Sequence, residues 1–296
     1  MFSFGVAVFV SLIVSLMILR YASLHRRFSL DDDLDGAQKI HARAVPRIGG
    51  IAVCIAAWIG AMVIYARDRN TGAGILLALT SAAPAFIGGV AEDLTKRVSP
   101  RWRMLMMAIS CAFAYWLIRL VIPRVDIGWI DPWLASPYVA LPLTLLALLT
   151  ITNAVNIIDG LNGLAGVTAS IMFAGIAVVA FRVGDATILS ASLLMAGAIL
   201  GFLFWNYPRG HIFLGDGGAY FIGFMLGAMS ILVVARLQRP PLRGDRRIAL
   251  VVGGEPPYDR RRVGRRRVIA LDQAHLPAGS GDGAPDRILD RRTERI

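Results

Sequence analysis

Four short polar segments hold most of the residues in this chain that could do chemistry. Glu92 and Asp93 stand side by side at the end of an apolar run. A carboxylate in that place is costly unless it is paired, hydrated or bound to a cation. A hard cation such as Mg2+ is held by one or two carboxylates together with phosphates, although Lys96 and Arg97 could balance the pair equally well. Asn153, Asn156 and Asp159 recur at every third residue, which on a helix sets them in one slowly drifting arc. The turn-prone Asp159-Gly160-Leu161-Asn162-Gly163 follows. Helix capping explains Asp159 and Asn162 but not two further asparagines facing the same way. Asp216 lies in Gly215-Asp216-Gly217-Gly218, where an aspartate can cap a helix and glycines with a helix N-terminus admit an anion. It could share a metal with Asp93 or Asp159. Lys39, His41, Arg43 and Arg47 supply cationic donors that suit phosphate oxygens. His211 opens the Asp216 segment, whereas His25 reads as a solvated loop residue.

The elements that must position these residues are apolar. The chain has 296 residues, 56% hydrophobic and 17% charged, with mean hydropathy +0.61. Soluble proteins carry roughly a quarter charged residues, so a soluble globular class is excluded. Apolar runs cover Phe4–Leu19, Ile48–Tyr65, Ile75–Val90, Met104–Ile122, Val139–Ile151, Ala165–Phe181, Ile188–Trp205 and Tyr220–Ala235. Crossing a hydrocarbon core takes about 20 mainly apolar residues. These runs therefore predict an all-α polytopic transmembrane helical bundle of about eight spans, with Val139–Ile151 short unless it borrows Pro137, Tyr138 and Thr152.

No basic residue precedes the first run, and Arg20, Arg26 and Arg27 follow it. This charge order predicts an uncleaved anchor with its N-terminus outside. Alternation then puts the long Lys- and Arg-bearing loops inside, and all four polar segments on the cytoplasmic face. The net charge of +11 thus reads as orientation and contact with anionic headgroups, not nucleic-acid binding. Cys54 and Cys111 fall within apolar runs and read as small buried hydrophobes.

Taken in series, the segments from Lys39–Gly50 to Gly215-Asp216-Gly217 resemble the polytopic polyprenyl-phosphate sugar-1-phosphate transferases, the MraY/WecA-type glycosyltransferase family 4. The resemblance implies transfer of a sugar-1-phosphate from a UDP-N-acetylhexosamine to undecaprenyl phosphate, with release of UMP. It implies Mg2+ as the cofactor, with Mn2+ as a substitute, and a location in the bacterial inner membrane. On it, Glu92 and Asp93 match the family's acidic pair, with Asp93 the better candidate to engage the acceptor phosphate. Asn153, Asn156 and Asp159 match the nucleotide- and metal-side motif, Asp159 also counting as catalytic. Asp216 matches the metal-ligand aspartate, and Arg43 falls where some members have Lys. Lys39, His41, Arg47 and His211 complete the expected substrate contacts. Glu92 departs from the commoner Asp, and Asn162 from a second Asp. The Lys39-x-His41 and Pro46-Arg47-x-Gly49-Gly50 pattern is nearer the O-antigen and enterobacterial-type branch. It favours GlcNAc or a 6-deoxy amino sugar and a role in starting a cell-surface glycan. A homodimer is a compatible assembly.

The expected division is a transmembrane catalytic domain over 1–235 and an Arg-rich tail over 236–296 without a credible span. The family carries further spans and a histidine-bearing loop there, whereas this chain has only His275. The tail reads as disordered or as the product of a lost reading frame, which makes an inactive or truncated homologue the alternative function. A transporter is the rival from another class. It would place ionisable groups near mid-membrane, often in repeated halves, and neither feature is evident.

Overall fold

The computed structural model describes residues 2–22 and 45–237. Lys39, His41, Arg43 and the segment from residue 238 onward lie outside the described residues. Eight α-helices occur among those described: α1 Phe2–Arg20, α2 Gly49–Arg67, α3 Arg69–Thr95, α4 Pro100–Ile118, α5 Pro137–Ile158, α6 Leu164–Val183, α7 Ala186–Asn206 and α8 Gly215–Leu237. A short 3-10 turn, Asp131–Ala135, precedes α5. Seven of the helices are long and apolar enough to cross a membrane. The remaining one, α4, opens with Arg101 and Arg103, which lowers its apolar content. The protein is a multi-pass helical membrane protein.

Local chemistry explains most helix boundaries. Asp68 accepts hydrogen bonds from the N–H groups of Asn70 and Thr71 and so caps α3. Ser99 with Pro100 starts α4, and Gly163 and Gly184, both in the left-handed region, bracket α6. The apolar run at Val139 proved longer as a helix than as a hydrophobic stretch. In α5 it borrows Pro137 and Tyr138 at one end and continues through Asn153 and Asn156 to Ile158 at the other. Pro84 lies inside α3, and the nearby Ala85 N–H is bonded to the hydroxyl of Ser110 on α4 at 2.8 Å. A neighbouring hydroxyl of this kind is what lets a membrane helix tolerate proline.

The helices alternate in direction, and α8 is the central one. It packs against α2, α3, α5, α6 and α7, and its side chains from Gly217 to Met229 are buried without a break. A helix apolar all round belongs in such a place. The peripheral helices instead turn large apolar side chains outward, among them Phe9, Trp116, Phe181 and Phe204. In a membrane protein that face meets lipid.

Candidate active site

The described parts of the polar segments meet at one end of the bundle, where backbone bonds tie two of them together. Phe213 N–H donates to the carbonyl of Pro46 at 2.8 Å, and the N–H groups of Gly49 and Gly50 donate to the carbonyls of Phe213 and Leu214 at 2.9 and 2.8 Å. These bonds fix the entry of α2, with Arg47 just before it, against the entry of α8. At this same end α3 finishes with Glu92 and Asp93, α5 with Asn156 and Asp159, and α7 with Asn206. The opposite end is marked by Arg67, whose guanidinium lies over the Phe2 ring at 4.1 Å.

Asp93 is buried, and its two oxygens accept from the backbone N–H groups of Asp216 (2.8 Å) and Gly217 (2.9 Å). Two glycines make this approach feasible. Gly215 has φ +77°, and a Cβ there would sit 2.7 Å from Asp93 Oδ2. A Cβ on Gly89, one turn before Asp93, would sit 2.6 Å from the Asp216 carbonyl oxygen and the Gly217 Cα. Glu92 projects differently: its Oε2 is buried and has no hydrogen-bond partner.

Asp159 is the C-cap residue of α5. Burial, with the charges of Asp93 and Asp216 nearby, pushes its carboxyl up to about 8, against the pull of Arg47 and a hydrogen bond from the Gly215 N–H. Asp93, Asp159, Asp216 and Arg47 therefore share one electrostatic neighbourhood. Asn156 is half-buried on the last turn of α5, whereas Asn153 is exposed and its amide donates to the carbonyl of Leu149 in its own helix, at 2.8 Å. Within the expected arc Asn153 is exposed, while Asn156 and Asp159 are partly covered. His211 is exposed in the turn after α7.

Three contributors had not been singled out from the sequence. Arg103 on α4 donates from Nη1 to the hydroxyl of Tyr220 on α8 at 3.2 Å, within electrostatic reach of Glu92 and Asp216. Tyr220 lies four residues after Asp216, one turn along the same helix face, and that spacing could have signalled it. The third, Asn206, is buried; its amide donates to the carbonyl of Ile212 at 2.8 Å and its carbonyl accepts from Gly163 N–H at 2.7 Å.

Among the described residues no three His, Cys, Asp or Glu side chains stand close enough to enclose a cation. Asp159 and Asp216 nevertheless repel one another across the site. Two such carboxylates fit Mg2+, which binds few protein ligands and completes its shell with water and substrate phosphates.

Comparison with known proteins places the chain in a family. The model for glycosyl transferase family 4 matches residues 74–234. The chain is 30% identical, over 92% of its length and 76% of the relative's, to a probable undecaprenyl-phosphate N-acetylglucosaminyl 1-phosphate transferase of Bacillus subtilis. It is 29% identical, over 63% of its length and 54% of the relative's, to a phospho-N-acetylmuramoyl-pentapeptide-transferase of Synechococcus. A protein of that second name from Bacillus mycoides is 26% identical over 79% of this chain and 75% of its own. The matched span runs from α3 into α8 and contains all four site carboxylates. The chain belongs to glycosyl transferase family 4 and is a membrane-embedded phosphoglycosyl transferase.

Proposed function

We propose that the protein transfers an N-acetylhexosamine-1-phosphate from its UDP derivative to undecaprenyl phosphate at the cytoplasmic face of the bacterial inner membrane. The observation that carries this reading is the meeting of Glu92, Asp93, Asp159 and Asp216 with Arg47 at one end of the helices. In this reaction an oxygen of the lipid phosphate attacks the phosphorus that bears the sugar. The bond from that phosphorus to the bridging oxygen breaks, and UMP leaves with the electron pair.

Such chemistry is mostly positioning and charge stabilisation. Arg47 and Arg103 are placed to meet phosphate oxygens, and Glu92 lies within electrostatic reach of Arg103. Asp159 and Asp216 would hold Mg2+, which when bound supplies charge neutralisation at the phosphates. The carboxylates sit at helix ends and not at mid-membrane, as a transferase drawing one substrate from water and one from lipid requires. The Bacillus subtilis relative named for GlcNAc transfer and the Pro46-Arg47-x-Gly49-Gly50 pattern at the entry of α2 support GlcNAc or a related 6-deoxy amino sugar as the donor. A role in starting a surface glycan such as O-antigen is part of the same proposal and rests on that entry pattern alone.

The test gives purified protein undecaprenyl phosphate, Mg2+ and a panel of UDP-N-acetylhexosamines, and measures UMP release. Turnover with one of them is expected, and Asp159→Asn and Asp216→Asn should each lower it by about 100-fold or more. Absence of turnover with every donor would favour an inactive homologue, and wild-type rates in both variants would remove the site assignment.

A further inference from the structure

The acidic pair Glu92-Asp93 divides its labour. A helix leaves its first N–H groups without intrahelical partners, and α8 begins at Gly215 directly after Leu214, which carries no side-chain oxygen to meet them. The oxygens arrive from another helix: the Asp93 carboxylate takes the N–H groups of Asp216 and Gly217 at 2.8 and 2.9 Å. Charge-assisted bonds of this type are about twice as strong as neutral ones, and they complement the positive end of the helix dipole.

The surrounding backbone is shaped to the same contact. Gly89 stands four residues before Asp93 and therefore on the same face of α3. A Cβ there would press on the Asp216 carbonyl and the Gly217 Cα. This face of α3 is occupied by the first turn of α8. The residue whose N–H is gripped is Asp216 itself, whose side chain lies in the carboxylate cluster.

We infer that Asp93 is a positioning residue: it pins the first turn of α8 through two backbone N–H groups and thereby sets the place of the Asp216 carboxylate. Glu92, with its unpartnered buried oxygen, is the member of the pair that remains to face ligand. The inference rests on the transferase reading only for its turnover arm, because the cap and the cation affinity are measured without a substrate.

Three measurements on the full chain in detergent, wild type beside Asp93→Asn, form the test. An asparagine keeps one acceptor oxygen but turns an NH2 toward the second N–H. The variant is therefore expected to raise deuterium uptake in peptides covering residues 213–221 and to weaken Mn2+ binding, followed by electron paramagnetic resonance, by about 10-fold. The Mg2+ concentration for half-maximal UMP release should rise by a similar factor, and added Mg2+ should recover part of the lost turnover. Glu92→Gln should instead lower turnover at every Mg2+ concentration and leave deuterium uptake unchanged. Should Asp93→Asn fail to fold, Gly89→Ala separates the two helices while retaining both carboxylates, and the same weakening of Mn2+ binding is expected. Unchanged exchange and Mn2+ affinity, with a turnover loss that no Mg2+ concentration restores, would overturn the inference and return Asp93 to the reacting atoms. A wild type that releases no UMP would sink the proposed function, and exchange and Mn2+ affinity would still decide the role of Asp93.

Discussion

The side-chain carbonyl of Asn206, the last residue of α7, accepts from the backbone N–H of Gly163 at 2.7 Å, immediately before α6 begins. The same side chain donates to Ile212 O at 2.8 Å, so one buried amide closes two turns at the site end of the bundle. Asn206→Ala leaves both partners unsatisfied, at a cost of about 2 kcal/mol. A lower thermal midpoint in detergent is expected, together with loss of turnover. An unchanged midpoint would show that the loops find other partners.

Arg103 and Tyr220 make a second pair that the helix order alone does not suggest. If the phenol steers the guanidinium toward phosphate, Tyr220→Phe should raise the KM for the UDP-sugar by about 5-fold, the worth of one ordinary hydrogen bond. Arg103→Ala should lower kcat/KM by about 10- to 100-fold, as expected for a charge-assisted contact. Equal rates for wild type and Arg103→Ala would place the arginine outside the substrate site.

Backbone strain gives a third prediction. Gly215 holds φ +77°, and an added Cβ would meet Asp93 Oδ2 at 2.7 Å as well as the Arg47 carbonyl. Gly215→Ala should cost about 2 kcal/mol or more, since it combines an unfavourable φ with a steric conflict. Thermal unfolding of the detergent-solubilised protein reads this directly. A near-neutral result would mean that α8 can start one residue later.

The fourth concerns pH. The Asp159 carboxyl is pushed up to about 8 by burial and by its acidic neighbours, above an unfolded value of about 3.9. Between those values the folded protein keeps a proton that the unfolded chain has released. Stability of the metal-free protein therefore falls as pH rises from about 4 to about 8. A divalent cation must displace the same proton, so its affinity should climb across about pH 6–8 and level off above about 8. Mn2+ titrations at stepped pH check this, and an affinity flat from about pH 6 to 9 would contradict it.

Much of the architecture was legible in the one-dimensional pattern. Each of the eight apolar runs lies largely in a helix, because a segment without water must satisfy its backbone internally. Only seven of these helices are apolar enough to span, and the Met104–Ile122 run outlasts α4, which ends at Ile118. The four polar segments were legible too, since carboxylates and asparagines at span ends stand out against apolar surroundings. The division of roles between Glu92 and Asp93 was not legible. Adjacent residues on a helix point about 100° apart, and only the packing of α8 against the Gly89 face decides which carboxylate becomes a cap. The same limit applies to Asn153, whose spacing matches Asn156 but whose amide turns back to Leu149, and to Arg103, which reaches Tyr220 across more than a hundred residues. Hydropathy and residue type are local properties, so the sequence by itself determined the spans, the family and the set of chemical groups. Which groups touch depends on how closely helix backbones approach at Gly89 and Gly215, and that only the tertiary structure decided.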